Sequence, residues 1–302
     1  MPDGYKTLGL TLGGGGTKGF AHIGFYQALH SAELPIHSIA GCSIGALIGA
    51  GIAQGKTPKE IFDVMTEYVN ENGNFFRLSN LSFENGAFLK GTEEMKTLRK
   101  LIPEDLDFKD LKIPLVVNAV DLESGEERAF KTGNVAKAVQ ASMAVPGVFP
   151  PVFHEGHLYV DGGIVNSIPV DSCKALGADV QVVVDLKSFY SEQNISGLIY
   201  HFYMQEDQDR KNGITHPKQA IKEAMLKASF PFNVMLRSIC IAEEFSRKAI
   251  LEKYKPDFIV HPDVSNYNFM DASEHLEIYG KGLEAGSTWV PKIRQFILNS
   301  SS

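Results

Sequence analysis

Ser43 stands at the centre of Gly41-Cys42-Ser43-Ile44-Gly45, a match to G-x-S-x-G. A serine hydroxyl attacks an ester only under three conditions. The backbone must expose it, a base must take its proton, and donors must receive the charge that develops on the carbonyl oxygen. The five residues answer the first need. With glycine two residues to either side, neighbouring backbone can pass close to a sharp strand-to-helix turn that pushes the hydroxyl outward. The flanks agree: Ile36 to Ala40 is a short apolar run, and Ala46 to Ala53 is helix-like. Five residues also match by chance, so the base and the donors must be sought elsewhere in the chain.

The donors have a candidate in the glycine block Gly13 to Gly16, continued by Thr17, Lys18 and Gly19. Gly14, Gly16 and Gly19 also fit the dinucleotide fingerprint G-x-G-x-x-G. That reading wants an acidic residue at the end of the second strand, where this chain has Gly41-Cys42-Ser43. A G-x-x-x-x-G-K-[ST] phosphate loop fails as well, since Gly19 follows Lys18. Small residues at a helix start leave backbone N–H groups unobstructed where partial positive charge gathers, which suits an oxyanion hole. Lys18 either adds charge there or carries its ammonium out to solvent.

The base has two kinds of candidate. His201, His216, His261 and His275 come late enough for the Ser, Asp, His order of α/β-hydrolases, but none has a recognisable setting. His22 lies near the glycine block in a small-residue helix and reads as a packed, hydrogen-bonded residue. Asp161 ends a strand, precedes Gly162 and Gly163, and follows a proline-rich block able to wrap a site. Asp-Gly-Gly is also a good turn sequence. As a base the aspartate needs a pKa raised by burial. Cys42 reads as a buried filler pointing away from the site.

These residues need positioning elements. Thr7 to Leu12 reads as a strand, Phe20 to His30 as a helix, then strand, elbow and helix: a βαβα start. It predicts an α/β fold with a parallel sheet covered by helices on both faces. Thr57, Pro58 and Glu60 mark a capped helix running to about Asn70. Gly73 to Gly91 is irregular and holds Phe75, Phe76, Phe83 and Phe88, either a lid or acyl-chain contact or side chains folded onto the core. Thr92 to Leu101 reads as a helix. Pro114 to Val120 and Glu127 to Phe130 form a hairpin. Asn134 to Ser142 is a short helix, Met143 to Val152 an irregular stretch with three prolines, and His157 to Val160 a strand. Pro169 to Leu176 is a helix and Asp179 to Leu186 a strand. Ser188 to His216 turns polar. Pro217 to Tyr254 is mostly helical with an interruption near Pro231, Asp257 to Val260 is a last strand, and Ser273 to Leu298 closes with one or two helices.

The bulk numbers narrow the partners. The chain has 302 residues, 44% hydrophobic and 22% charged, as in a globular protein. A net charge of -7 without a basic cluster excludes nucleic acid as an expected partner. It also argues against electrostatic adsorption to anionic membranes. Three scattered cysteines, no leader-like start and no apolar run of about 18 residues point to free thiols in a reducing, cytoplasmic setting, with any membrane contact peripheral and transient.

Taken together, the glycine block Gly14 to Gly19, the elbow Gly41 to Gly45 and Asp161-Gly162-Gly163 resemble the motifs of the patatin-like phospholipase family, in family order. Ala141 to Val152 is similar to the block before its aspartate. The resemblance covers about residues 8 to 186, and a weaker likeness to bacterial single-domain members reaches Tyr254 to Asp257. It implies a three-layer α/β/α fold with a mostly parallel central sheet and a helical C-terminal part. Residues 8–186 would be the catalytic core, and 187–302 a mostly helical extension with one strand in the same domain. It implies a Ser43–Asp161 dyad, an oxyanion hole from Gly14, Gly15, Gly16, Thr17, Lys18 and Gly19, an acyl-enzyme, no metal and no cofactor. The implied substrate is a lipid or fatty-acyl ester, as for a phospholipase or lysophospholipase. Lys18 stands where arginine is commoner, and Ser167 where a second asparagine often follows Asn166. A Ser-His-Asp carboxylesterase and a non-catalytic lipid-binding regulator are the alternatives.

Overall fold

The computed structural model describes residues 6–72, 99–186, 217–269 and 272–299. The aromatic stretch 73–91, most of the helix expected at 92–101 and the polar stretch 188–216 lie outside the described residues. So do His201 and His216.

The apolar runs become one eight-stranded sheet. Its strands are β1 (Leu8–Leu12), β2 (Ser38–Cys42), β3 (Leu115–Asp121), β4 (Glu127–Phe130), β5 (Val152–His154), β6 (His157–Asp161), β7 (Val180–Val184) and β8 (Phe258–Val260). The order is β5-β6-β3-β2-β1-β7-β8, with β4 also paired to β3. β3, β2, β1, β7 and β8 run parallel; β4, β5 and β6 are antiparallel additions.

Helices cover both faces, as the βαβα start requires. The helices are α1 (Phe20–Ser31), α2 (Ile44–Ala53), α3 (Pro58–Asn72), α4 (Val135–Ser142), α5 (Gly163–Asn166), α6 (Val170–Ala175), α7 (Pro217–Tyr254) and α8 (His275–Leu298). α1, α2, α3 and α8 bury the larger core with Leu10, Ile39, Val117 and Val182. The alternate strand residues face the other way. Ala40 and Val116 meet Cys173 of α6, and Val183 meets Ile250 and Leu251 of α7. This is the period-2 alternation of a sheet covered on both sides.

The capping box expected at Thr57 and Glu60 forms. Thr57 donates its N–H to Glu60 Oε2 at 2.7 Å, and Glu60 returns its own to Thr57 Oγ1 at 3.2 Å. Asn134 caps α4 by accepting the Lys137 N–H at 2.8 Å. Two elements differ from expectation. Val152 begins a short strand rather than ending a loop, because it pairs with Tyr159 in a tight hairpin turning at Glu155 and Gly156. α7 runs through Pro231 without interruption. α8, where one or two helices were expected, is a single helix that also runs through a proline, Pro291. A proline removes one N–H and crowds one carbonyl; helices of this length keep their remaining bonds and continue.

Register brings two strand ends together. β3 residues 117–120 pair with β4, so β2 and β6 must share the opposite edge. β2 runs parallel to β3 and ends with Cys42 opposite Asn118. β6 runs antiparallel and ends with Asp161 opposite Ala119. The carboxyl ends of β2 and β6 therefore meet head to head. β1 and β7 stay paired to their ends at Leu12 and Val184, and the connections that leave them lead to opposite sides, to β2 and to β8. That is the switch point where open α/β sheets place ligands.

Candidate active site

The head-to-head meeting puts Ser43, one residue past β2, beside Asp161 at the end of β6. Ser43 has φ 53° and ψ -122°, a left-handed conformation that ordinary residues avoid. Its N–H donates to Ser142 Oγ of α4 at 2.8 Å, which helps hold the turn. The glycine at 45 is required by close approach: a Cβ there would enter the backbone of Leu12 in β1. A Cβ at Gly41 would reach 2.6 Å from the Gly45 carbonyl oxygen.

Asp161 is buried, and its two oxygens differ. Oδ1 accepts the Gly163 N–H at 2.7 Å and the Cys42 thiol at 3.7 Å. Oδ2 has no hydrogen-bond partner among the described residues. Burial raises the carboxyl pKa to about 6, while the Gly163 N–H, the Ser43 hydroxyl and the Cys42 thiol pull it back down. Ser43 thus bears on the carboxyl electrostatically, yet forms no well-aligned bond to Oδ2. The serine lies close to the base without being locked to it, as is common before substrate binds. Cys42 is buried as expected but does not point away from the site, because the end-on meeting of β2 and β6 turns its sulfur toward Asp161. Burial first, and the Asp161 charge second, push the Cys42 pKa well up, so the thiol stays protonated and can donate.

The glycine block follows β1 at the switch point. Gly13 donates its N–H to Val184 O, Gly14 to Ser167 O, Thr17 to Phe269 O and Lys18 to Gly15 O. Among the described residues the N–H groups of Gly15 and Gly16 have no acceptor. Gly16 has φ +57°, and a Cβ there would enter the Phe269 carbonyl. His22 is packed and hydrogen-bonded, Nε2 to Gly13 O at 2.8 Å. Burial lowers its pKa to about 4, so it is neutral and donates through Nε2. Lys18 is fully buried and does not reach solvent. Burial lowers its pKa to about 8, against the pull of Cys240 and Glu243 on α7.

Several participants had no local signal. Asn118 donates to Asn166 O at 2.5 Å, and Asn166 donates to Glu127 at 3.0 Å and to Asp171 at 3.1 Å, bracing the turn after Asp161. Glu243 of α7 is buried, with Oε2 unpartnered among the described residues. Burial and then the Asp161 charge raise its pKa well above the carboxylate range. Only the three-dimensional arrangement puts these residues near Asp161; their spacing in the chain carries no motif. The described late histidines are engaged elsewhere. His261 Nδ1 lies 3.2 Å from Asp185 Oδ2, and His275 Nδ1 lies 2.9 Å from the Ala272 carbonyl oxygen.

A sequence profile of the patatin-like phospholipase family matches residues 10–174, more than half of the chain. The chain belongs to the patatin-like phospholipase family. It is similar to "Lysophospholipase nte1" of Neurospora crassa, 27% identical over 300 residues that make up 96% of this chain and 18% of that protein. It is similar to "Neuropathy target esterase sws" of Drosophila melanogaster, 32% identical over 186 residues, 61% of this chain and 13% of that protein. The chain thus spans less than a fifth of the length of the curated relatives it matches. VipD from Legionella pneumophila shares the fold, with a TM-score of 0.51 at 15% identity over 95% of this chain and 67% of that one. The family's mixed sheet, with helices on both sides and helices at the C-terminus, is the one described above. Among the described residues no helix is both long and apolar enough to cross a membrane.

Proposed function

We propose that this patatin-like protein hydrolyses acyl esters of lipids, lysophospholipids foremost, through a Ser43–Asp161 dyad. The observation that carries the reading is the convergence of the β2 and β6 ends, which sets a strained serine beside a buried carboxylate with one unpartnered oxygen. Ser43 Oγ attacks the ester carbonyl as Asp161 Oδ2 takes its proton. The N–H groups of Gly15 and Gly16 hold the oxyanion, with Gly14, Thr17, Lys18 and Gly19 shaping the loop. The proton passes from Asp161 to the leaving alcohol, and an acyl-Ser43 ester remains. Asp161 then takes a proton from a water that attacks the acyl carbonyl, and returns it to Ser43 Oγ as the C–Oγ bond breaks and the fatty acid leaves. Gly41 and Gly45 keep the elbow, and Gly162 and Gly163 keep the aspartate in place.

The lysophospholipid preference is supported by the names of the relatives, which bear that activity in proteins far longer than this chain. We read residues 8–186 as the catalytic core and 187–302 as an extension of the same domain, since β8 completes the sheet and α8 packs on α1.

The test is a panel of lysophospholipid, phospholipid and triglyceride, run on wild type, Ser43→Ala and Asp161→Asn. Wild type should release fatty acid from lysophospholipid fastest. Each variant should lose at least about 1,000-fold in kcat, as when one member of a catalytic unit is removed. Near-normal turnover by Asp161→Asn rejects the dyad and turns attention to the late histidines.

A further inference from the structure

The buried face of α7 carries Leu236, Cys240, Glu243 and Arg247, spaced by four, three and four. Leu236 and Cys240 pack against Val148 and Phe269. Arg247 is committed to Asp185 and Glu244. Glu243 is the member that this packing does not explain. It is 3% exposed, and its Oε2 has no hydrogen-bond partner among the described residues. Burying a carboxyl in that state is unfavourable.

Three segments of the proposed machinery surround Glu243. The Ser167 hydroxyl bears on its carboxyl without a well-aligned bond, while the Ser167 carbonyl accepts the Gly14 N–H at 3.0 Å. Lys18 of the glycine block is buried and interacts electrostatically with Glu243. Asp161 does the same from the end of β6. The turn after Asp161 is tight: a Cβ on Gly163 would lie 3.0 Å from Asp161 Oδ1, 3.8 Å from Ser167 Cβ and 3.9 Å from Cys42 Sγ. α7 is fastened over this turn by the Ser246 hydroxyl, which donates to the Val165 carbonyl of α5.

We propose that Glu243 is a positioning residue for Asp161 and works in its protonated form, as a neutral carboxyl that backs the Asp161–Ser167 turn and leaves Asp161 the one ionised carboxyl of the two. The inference rests on the Ser43–Asp161 reading. The surrounding charges support it. Asp161 and Asp185 act on Glu243 from the ends of β6 and β7, Lys18 from the glycine block and Arg247 from α7 itself. The Cys42 and Cys240 thiols face it protonated, since burial first pushes Cys42 well up and Cys240 up to about 12. Arg247 is matched by Asp185 and Glu244, so Lys18 is the ammonium beside two buried carboxyls, Asp161 and Glu243. Such a pair carries one negative charge more readily than two. Burial, and then the Asp161 charge, put the proton on Glu243. Neutral, Glu243 adds a polar group to the wall around Asp161 without adding a charge. Ionised, it would raise the proton affinity of Asp161 and take the base out of use at neutral pH.

The experiment compares wild type with Glu243→Gln and Glu243→Leu. The kcat/KM for a short soluble ester and the unfolding free energy are each followed from pH 4.5 to 8. Glutamine keeps a neutral polar head, so the acidic limb should stay within about 0.3 unit of wild type. Leucine puts hydrocarbon beside the Asp161 charge, and the limb should move up by at least about half a unit. Glutamine thus restores what leucine loses. Unfolding gives a reading that needs no activity. In the unfolded chain a glutamate loses its proton near about 4.3, whereas in the folded chain Glu243 keeps it. Wild-type stability must then fall as the pH rises above that value. Relative to Glu243→Gln, its folded-to-unfolded ratio should drop by up to about tenfold per pH unit. A limb displaced by more than about 0.3 unit in Glu243→Gln overturns the proposal, and a downward displacement would mean that Glu243 acts as an anion that lifts Asp161. So does a limb that Glu243→Leu leaves in place, or a stability difference between wild type and Glu243→Gln that does not change with pH. Should Glu243→Leu not fold, the two readings on Glu243→Gln decide. A wild type that hydrolyses no ester, yet loses stability with pH relative to Glu243→Gln, keeps the protonated Glu243 and rejects the catalytic reading instead.

Discussion

Asp161 holds a charge that its surroundings disfavour, and that is what makes it useful as a base. Burial lifts its pKa to about 6, above the ordinary carboxylate range, while one N–H and two weaker donors hold it from rising further. A base must be ionised to act. The proposed activity is therefore fully present a unit or more above that pKa, about half at pH 6, and is lost as the pH falls further. The acidic limb of kcat/KM should show a midpoint near 6; a limb near 4 would mean that the acting base is a solvated carboxylate. Cys42→Ala tests the same point from the side. Removing the thiol that donates to Oδ1 withdraws stabilisation of the anion, so the limb should move up by roughly half a unit, the size of a weak hydrogen bond to a charge. A limb that stays in place would show that the thiol only fills space. The serine and aspartate were legible in the sequence because each sits in its own glycine-flanked motif. The direction of Cys42 and the burial of Lys18 were not, because both depend on neighbours far along the chain.

At the scale of elements, strain is concentrated at the turn from β2 into α2. Ser43 adopts φ 53° because β2 and α2 leave the turn no other path, with Gly45 pressed on β1 and Gly41 on the start of α2. Glycine adopts that conformation freely, whereas alanine suffers as serine does. Ser43→Gly should therefore exceed Ser43→Ala in unfolding free energy by about 1 kcal/mol, both being inactive. Denaturant midpoints measure it, and equal midpoints would show that the turn is relaxed. The strand–elbow–helix order was legible because period-2 and period-3.6 patterns meet at the glycines. The short strand β5 was hidden, since three residues beside two prolines carry no period. The continuity of α7 at Pro231 was hidden for a different reason: helix length can outweigh one missing N–H.

Across the whole molecule, a parallel α/β sheet was readable from its first 50 residues, but the placement of the C-terminal third was not. That placement depends on a buried ionic group with no sequence pattern. Asp185 follows β7, His261 follows β8, and Arg247 reaches inward from α7. The guanidinium contacts Asp185 and also donates from Nη2 to both oxygens of Glu244 at 2.7 Å, while His261 Nδ1 lies 3.2 Å from Asp185. The group ties α7 to two parallel strands. Arg247→Met should cost about 3 kcal/mol, because it removes the guanidinium from a buried carboxylate rather than from a solvated one. Arg247→Met/Asp185→Leu should recover part of that loss, since no buried charge is then left without its partner. Glu243 lies four residues before Arg247 on the same buried face, close enough that the Asp161 charge helps raise its pKa; an α7 that loosens opens that face to water and lessens the burial that lifts Asp161, so it should also shift the acidic limb of activity. A lowered melting temperature together with a displaced limb would mean that α7 sets the electrostatics of the site as well as closing the fold. A lowered melting temperature with the limb still near pH 6 would confine α7 to a structural role.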